Sequence, residues 1–317
     1  IEIDGHNISN ITKVLSKNYA GPTAILAHTI KGWGVSKLQQ GNWHGKPLPQ
    51  EDLEKALQEI PESAIKMPKT KPTKINFEQT KLKISLKPPR FNEWDSTFKN
   101  SGKISARKGY GYALRELGED KNIIVCDADV SNSTMTEIFK IKYPERYIEC
   151  AIAEQNMAGV GSGLASQGKI TFINSFGRFL ETLFTQWNIS LQSRIPLHVV
   201  GSHVGLGSHS DGPSQMALAD LAYAVSYPNL VVLSPSDGVC AYYLTELCAK
   251  HNGPTYLRNY RPDMPLLCKA TEKLSVGGSK ILKHGKDATI VAHGFMVHVA
   301  LEAANELEKQ DLGVSVI

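Results

Sequence analysis

The sequence predicts an α/β protein built on a parallel, doubly wound sheet at residues 105–262, with parts of two further α/β domains on either side. Three observations predict this. Apolar runs of strand length alternate with longer stretches of helical periodicity, which is the pattern of β-α-β crossovers. Several of those runs end in an isolated polar residue at a strand-to-helix corner, where open α/β sheets place their chemistry. The chain, at 317 residues, is too long for one compact α/β domain and suits two. The expected division is 1–65, the tail of a first α/β layer; 66–104, a linker; 105–262, the central domain; 263–286, a connection; and 287–317, the start of a third unit.

The elements follow in order. Residues 6–19 have helical periodicity through Ile8, Ile11, Val14 and Leu15, and Gly21-Pro22 then breaks the chain. TAILAHT (23–29) reads as a buried strand, followed by the polar loop Lys31-Gly32-Trp33-Gly34 and by Trp43-His44-Gly45-Lys46-Pro47. Pro49 leads into a short helix at 51–60. In the central domain a helix is expected at 107–117 and a strand at 122–130. Ser133 opens the next helix, and 147–152 is the following strand. Helix 154–166, strand 170–175, helix 176–193 and strand 195–202 come next, then a loop from His203 to Ser214. Helix 215–226, strand 230–234, helix 237–250 and strand 255–259 complete the domain. A strand at 288–294, a helix to Lys309 and an apolar run at 313–317 open the third unit.

Composition narrows the class. The hydrophobic fraction of 41% is ordinary for a globular protein, and 35 basic against 31 acidic residues leave a net charge of +4. Eight basic residues fall between Lys66 and Arg90 with Glu78 alone opposing them. That stretch is rich in proline and poor in aromatics, so it reads as a solvated linker and not as a nucleic-acid surface. The five cysteines (126, 150, 240, 248 and 268) show no C-x-x-C spacing and mostly sit in apolar runs, which suits free thiols in a reducing compartment such as the cytoplasm. No apolar run is long enough to span a membrane. The chain starts at Ile1 inside IEIDG and stops inside GVSVI, so it is expected to be a piece of a longer polypeptide.

Arg107, Ser133, Glu154, His203, Asp211, Gln215 and Arg258 all fall at strand ends or loop corners. In a parallel sheet such corners share one edge, so the residues can converge. Each also has a plain alternative. Glu154 could complement a helix dipole, Asp211 before Gly212-Pro213 could make an Asx turn, and the arginines could form surface ion pairs. Phe176 and Phe179, at i, i+3 after a strand, suit either a core stripe or a stacking platform for a planar ring. The helix after Glu154 carries Ala158, Gly159, Gly161 and Gly163, a surface that lets another backbone approach closely.

The stretches IECAIAEQNM (148–157), SHVGLGSHSDGPSQMALADLA (202–222) and GNWHGKPLP (41–49) resemble transketolase, and the resemblance runs over nearly the whole chain. Gln215 matches the animal-type form of the motif. The resemblance implies the thiamine diphosphate-binding fold, with 1–65 as the tail of the diphosphate-binding domain and 105–262 as the pyrimidine-binding domain. It implies an enzyme of the pentose phosphate pathway that moves a two-carbon ketol unit from a ketose phosphate to an aldose phosphate. Its cofactors would be thiamine diphosphate and Mg2+ or Ca2+, and it would work as a homodimer with the cofactor at the subunit interface.

Residue by residue, Glu154 resembles the glutamate that hydrogen-bonds the cofactor's pyrimidine, and Phe179, with Phe176 beside it, the aromatic that stacks on it. Arg107, Ser133 and Arg258 resemble the sugar-phosphate anchors, and His44 and Lys31 contacts near cofactor and substrate. His203 and Asp211 match the pair that reads the sugar hydroxyls, His203 being placed with Glu154 in the chemistry, and Gln215 is expected beside them. Two departures stand out: Ser210, preceded by His209, where the family usually has Glu, and Arg178 between the two phenylalanines. No G-D-G metal motif occurs, so no metal ligand is expected in this chain and the metal half of the site is expected upstream. Other thiamine enzymes, of the deoxyxylulose-phosphate synthase or 2-oxo-acid dehydrogenase beta type, and a non-catalytic module needing a partner chain, are the alternatives.

Overall fold

The computed structural model describes residues 1–60 and 80–317, with the side chains of residues 209 and 210 outside that description. Residues 66–79 of the expected linker 66–104, and the side chains of the Ser210 and His209 departures, therefore lie outside the described residues. The chain divides into two compact units, Ile1–Thr73 and Lys74–Ile317.

In the first unit β1 (Glu2–Asp4) and β2 (Leu26–His28) pair in parallel, with Glu2 opposite Leu26. Between them lies α1 (Ile8–Leu15), started by Asn7, whose side chain accepts the Asn10 N–H at 3.0 Å. The helix α2 (Gln50–Glu59) follows. The strand expected to be buried is exposed, with Leu26 55% accessible. The two described strands make no layer that could cover it, and among the described residues the buried apolar side chains of this unit are Val14, Val35 and Ala56.

The second unit opens with α3 (Phe91–Trp94), α4 (Ser96–Ser101) and a two-residue strand, β3 (Lys103–Ile104). In the described part of the expected linker the apolar side chains are packed, while the lysines between them are exposed. Phe91 is buried among Trp94, Phe98, Tyr112 and Tyr242, and Leu82, Ile84 and Leu86 lie against core residues. Aromatic side chains each bury a large area, and three of them in eight residues are enough to anchor this segment.

The sheet then builds up through α5 (Ala106–Leu117), β4 (Ile123–Asp127), α6 (Ser131–Thr134), α7 (Glu137–Lys142), β5 (Tyr147–Glu149) and α8 (Glu154–Ser166). It continues through β6 (Ile170–Phe176), α9 (Phe184–Gln192), β7 (Leu197–Ser202), α10 (Asp220–Val225), β8 (Val231–Leu233), α11 (Gly238–Lys250) and β9 (Thr255–Arg258). The two-residue β10 (Met264–Pro265) runs antiparallel to β3. A last β-α-β unit consists of β11 (Ala288–Ile290), α12 (Met296–Glu308) and β12 (Val314–Val316), whose strands pair in parallel.

Three helices differ from expectation for local reasons. The one expected after Ser133 is split, because Met135 sits at φ 66°. The one expected at 176–193 starts later: β6 runs through Phe176, a 3-10 turn covers Phe179–Leu183, and only then does α9 begin. The one expected at 215–226 is reduced to α10, after a 3-10 turn at Pro213–Gln215 and an extended Met216.

The central sheet has six strands in the order β5-β4-β6-β7-β9-β8, every neighbouring pair parallel. α5 and α11 cover one face, where Tyr110 and Leu114 meet Ile123, Val125, Phe172 and Leu257. α8 and α9 cover the other, where Met157, Ala158, Trp187 and Leu191 meet Cys126, Ile173, Val199 and Tyr256. Strand residues alternate between these faces as the pleat requires. The chain leaves β4 toward β5 on one side and returns through α8 to β6 on the other. The strand order therefore reverses between β4 and β6, and the loops at their carboxyl ends form the crevice where such sheets bind ligands. Among the described residues no helix is long and apolar enough to cross a membrane.

Candidate functional site

Backbone strain collects along this carboxyl edge. Asp129 (φ 62°), Met135 (66°), Ala151 (54°) and His203 (58°) are all non-glycine residues in left-handed conformation, in the loops after β4, β5 and β7. Each such residue costs of order 1–3 kcal/mol and persists only where its surroundings hold it.

Glu154 is the first residue of α8 and is 8% exposed. Among the described residues its one hydrogen-bond donor is the Ser175 hydroxyl, at 3.4 Å. Ser175 is the penultimate residue of β6, so this carboxylate sits at the switch point. A buried carboxylate normally collects several donors. One long bond leaves most of its accepting capacity open to a ligand.

Beside it the rings line up. Phe176 and Phe179 stack with centroids 5.0 Å apart and planes within 1°. Phe176 also stacks on His203, at 4.0 Å and 9°. Phe176 ends β6 and His203 follows β7, so two adjacent strands deliver this stack. Arg178, between the phenylalanines, is turned outward and exposed, and pairs with Glu181.

His203 is 2% exposed. Its Nδ1 lies 2.8 Å from the Ser202 hydroxyl and its Nε2 3.7 Å from an Asp211 carboxylate oxygen. Burial, then the nearby Arg107 guanidinium, push its pKa down to about 4 against the opposing pull of Asp211, so the ring is neutral at physiological pH. Arg107 donates from Nη1 to the Ser133 carbonyl at 3.0 Å, and the Ser202 hydroxyl donates to the same carbonyl at 3.4 Å. The Arg107 Nε is buried with no partner among the described residues. Burial and the neighbouring Arg261 lower the Arg107 pKa from its ordinary value. Arg261 in turn pairs with Asp211 at 3.0 Å. Two guanidinium groups near one another, with an unfilled donor, suit an anion such as phosphate.

Asp127 holds the loop that brings Ser133 here. Fully buried at the end of β4, it accepts from the Val130 N–H (2.8 Å) and from the hydroxyls of Thr134 (2.6 Å) and Thr136 (2.8 Å). Burial raises its pKa to about 6, against those three bonds, which pull it down.

The structure thus brings together Glu154 with Ser175, the stack of Phe179, Phe176 and His203, and the network of His203, Asp211, Arg107 and Ser133. It does not bring Arg258 into that network. Arg258 is a strand residue whose side chain lies with α10 on the α8–α9 face, where Nε and Nη2 donate to Asp220 at 2.7 and 3.1 Å. Arg107 belongs to α5, on the other face, so the expected convergence of Arg107, Ser133 and Arg258 is not found. The residue that sequence reasoning missed is Arg261, three positions on, past the end of β9. Gln215 is half-buried, with its Oε1 accepting from Ser214. Lys31 and His44 are exposed in the first unit. Among the described residues no three His, Cys, Asp or Glu side chains gather as a metal site.

A doubly wound sheet with an under-satisfied glutamate and a ring platform at its switch point defines a ligand-binding α/β domain. Residues 102–265 match the family model for the transketolase pyrimidine-binding domain, and 277–317 that for the transketolase C-terminal domain. The chain belongs to the transketolase family, whose members depend on thiamine diphosphate. It is 37% identical to transketolase of Rattus norvegicus over 333 residues, and 36% identical to transketolase of Homo sapiens over 323 residues, covering all of this chain and 51% of each relative. It is also 36% identical to transketolase-like protein 2 of Bos taurus, over 99% of this chain and 51% of the relative. The chain therefore spans about half the length of the curated relatives it matches. Among solved structures, a split-gene transketolase described as an inactive beta4 tetramer matches with TM-score 0.61 and 36% identity, over 67% of this chain and 70% of that one. Transketolase from Campylobacter jejuni matches over 100% of this chain and 55% of its own, with TM-score 0.72 and 21% identity, which shows a shared fold.

Proposed function

We propose that this chain carries the pyrimidine-binding half of a transketolase active site, in an enzyme that transfers a two-carbon ketol unit from a ketose phosphate to an aldose phosphate. The observation that carries the proposal is the under-satisfied Glu154 beside the Phe176–Phe179 stack. A buried carboxylate next to stacked rings fits a planar, nitrogen-bearing heterocycle, and so fits the pyrimidine of thiamine diphosphate. When bound, that cofactor supplies a nucleophilic thiazolium carbon.

Glu154 would hold the ring nitrogen by a charge-assisted hydrogen bond, the contact that favours the proton-transferring form of such a ring. Phe179, with Phe176 behind it, fixes the ring plane. His203, kept neutral, takes or gives a proton at the sugar hydroxyls, and Asp211 orients it. Arg107 and Arg261 grip the sugar phosphate, with the Ser133 loop as their support; Arg261 replaces Arg258 in this role. Lys31, His44 and Gln215 are further cofactor and substrate contacts. The metal, magnesium or calcium, belongs with the diphosphate-binding half. We also place the working enzyme in the cytoplasm, acting in the pentose phosphate pathway.

The enzyme works as a homodimer, and α8 supports that reading. Gly161 is buried against Ile173, whereas Gly159 and Gly163 face open space. The open glycines, with exposed Gln155 and Asn156, leave a smooth surface for a second copy. One structural neighbour is an inactive tetramer of one chain of a split-gene transketolase. By analogy, we propose that this chain turns over substrate only when a diphosphate-binding half is supplied. Ketol transfer measured with the natural gene product of known intact mass, at saturating thiamine diphosphate and magnesium, tests the reading. Consumption of a 2-oxo acid without ketol transfer would replace it with another thiamine chemistry.

A further inference from the structure

Arg258 resembles a phosphate anchor in sequence, yet its guanidinium is occupied. It is 7% exposed and forms a bidentate pair with Asp220, itself 2% exposed. The Tyr256 hydroxyl donates to the same Asp220 oxygen at 2.7 Å. Tyr256 and Arg258 stand two residues apart on β9 and so share a face. Asp220 opens α10, directly after the segment that carries His203 and Asp211. Arg258 ends β9, directly before the segment that carries Arg261. The Tyr256 hydroxyl also lies against the α-carbons of Gly177 and Gly201, where a side chain would collide with it or crowd it. Gly177 follows Phe176, and Gly201 precedes Ser202 and His203. The three side chains thus touch or adjoin the ends of β6, β7 and β9.

Other bonds join the same segments. The Asn259 N–H donates to the Gly201 carbonyl at 2.7 Å, and Val204 bridges Ala217. The first is a backbone bond between the ends of neighbouring strands, and the second an isolated backbone bridge beyond them. The bonds of Arg258 and Tyr256 to Asp220 are side-chain ties that join the start of α10 to the end of β9.

We infer that Arg258 is a positioning residue: with Asp220 and Tyr256 it forms a buried clamp that holds the His203–Asp211 loop and the Arg261 segment in register at the carboxyl edge. The clamp acts through His203 and Arg261 and touches no substrate, and its importance for ketol transfer rests on the function proposed above. Lysine cannot replace this arginine, because one ammonium cannot make two parallel bonds to a carboxylate. A pair this deeply buried is costly to break from one side only.

The test is the titration of the His203 imidazole, followed by NMR in the full chain with labelled histidine and assigned through His203→Gln. Arg107, Arg261 and Asp211 face this ring, and its burial depends on the clamped loop. In Arg258→Lys the midpoint should rise by about one pH unit or more toward the ordinary histidine value, as the loop loosens and water reaches the ring. Tyr256→Phe keeps the ion pair and should give a smaller rise. Asp237→Ala is the control: it removes the cap of α11, lowers the melting temperature, and should leave the His203 midpoint where it is. If Arg258→Lys melts earlier while His203 titrates as before, the clamp is structural only and the inference fails. If Arg258→Lys does not fold, Tyr256→Phe decides, and an unmoved midpoint there overturns the inference. None of these readings needs turnover, so absence of ketol transfer would refute the proposed function without touching this result.

Discussion

Replacing Glu154 with glutamine should separate activity from stability. The side chain keeps its shape, so the Ser175 hydroxyl can still donate to the remaining oxygen, as it now does at 3.4 Å. What is lost is the negative charge that favours the proton-transferring form of a bound pyrimidine. A positioned proton-transfer group typically contributes ~10²–10⁴-fold in rate, or about 3–5 kcal/mol of barrier. The fold has little to lose, because one long hydrogen bond is worth about 1 kcal/mol at most. Keeping an unpaired carboxylate 8% exposed is itself a cost, which the amide removes. Turnover of a ketose phosphate donor at saturating cofactor should therefore fall by that factor. The melting temperature should hold or rise, and sedimentation should show the same assembly as the parent. Near-parental turnover would remove Glu154 from the mechanism. Equal losses of turnover and melting temperature would mean that the residue serves the fold.

Gly161→Ala should destabilise the chain by about 1–3 kcal/mol in thermal melts, since the new methyl collides with Ile173, while Gly159→Ala and Gly163→Ala should gain up to about 1 kcal/mol of helix propensity. If those open positions face a second copy, the same two variants will weaken the assembly in sedimentation. His203, with a folded pKa of about 4 against an ordinary 6.5, stays neutral in the folded state while the unfolded chain takes up a proton. Its contribution is thus full above about pH 6.5 and is lost toward about pH 4, and His203→Gln should flatten denaturant midpoints across that window. Asp127 has the opposite sign. Raised to about 6 from 3.8, it binds its proton more tightly in the folded state, so Asp127→Asn should make acid destabilisation steeper between those values. Asp237→Ala removes a buried acceptor shared by the N–H groups of Cys240, Leu267 and Cys268, and should cost about 3 kcal/mol by chemical denaturation without changing the affinity for sugar phosphate.

Much of the fold was legible because it follows from local pattern. Alternating strands and helices dictate a parallel sheet, and the polar residue at the end of an apolar run marks a corner, which is how Glu154, Phe176 and His203 stand out. Where the reading failed, the deciding contact was distant in sequence. The stretch from 80 to 104 looked like a linker by its prolines and charges, but Phe91 finds Tyr112 and Tyr242 far along the chain. TAILAHT looked buried by its apolar run, but no layer among the described residues of its unit covers it.

The two arginines show the division most directly. The sequence placed Arg258 at the end of the last sheet strand, and the resemblance to transketolase made it an expected sugar-phosphate anchor. Arg261, three positions on, was passed over, because nothing in the run itself marks where the strand ends. Tertiary structure separates the two. Arg258 is the last residue in the ladder, and the pleat turns it toward Asp220, 38 residues earlier, which binds both ends of its fork. Arg261 lies past the ladder, where the backbone is free to leave the sheet plane, and it reaches Asp211 over the carboxyl edge. Residue type and spacing determine which chemistry a chain can assemble. The end of the hydrogen-bonded ladder, and the partner waiting on one face, determine where each such side chain goes.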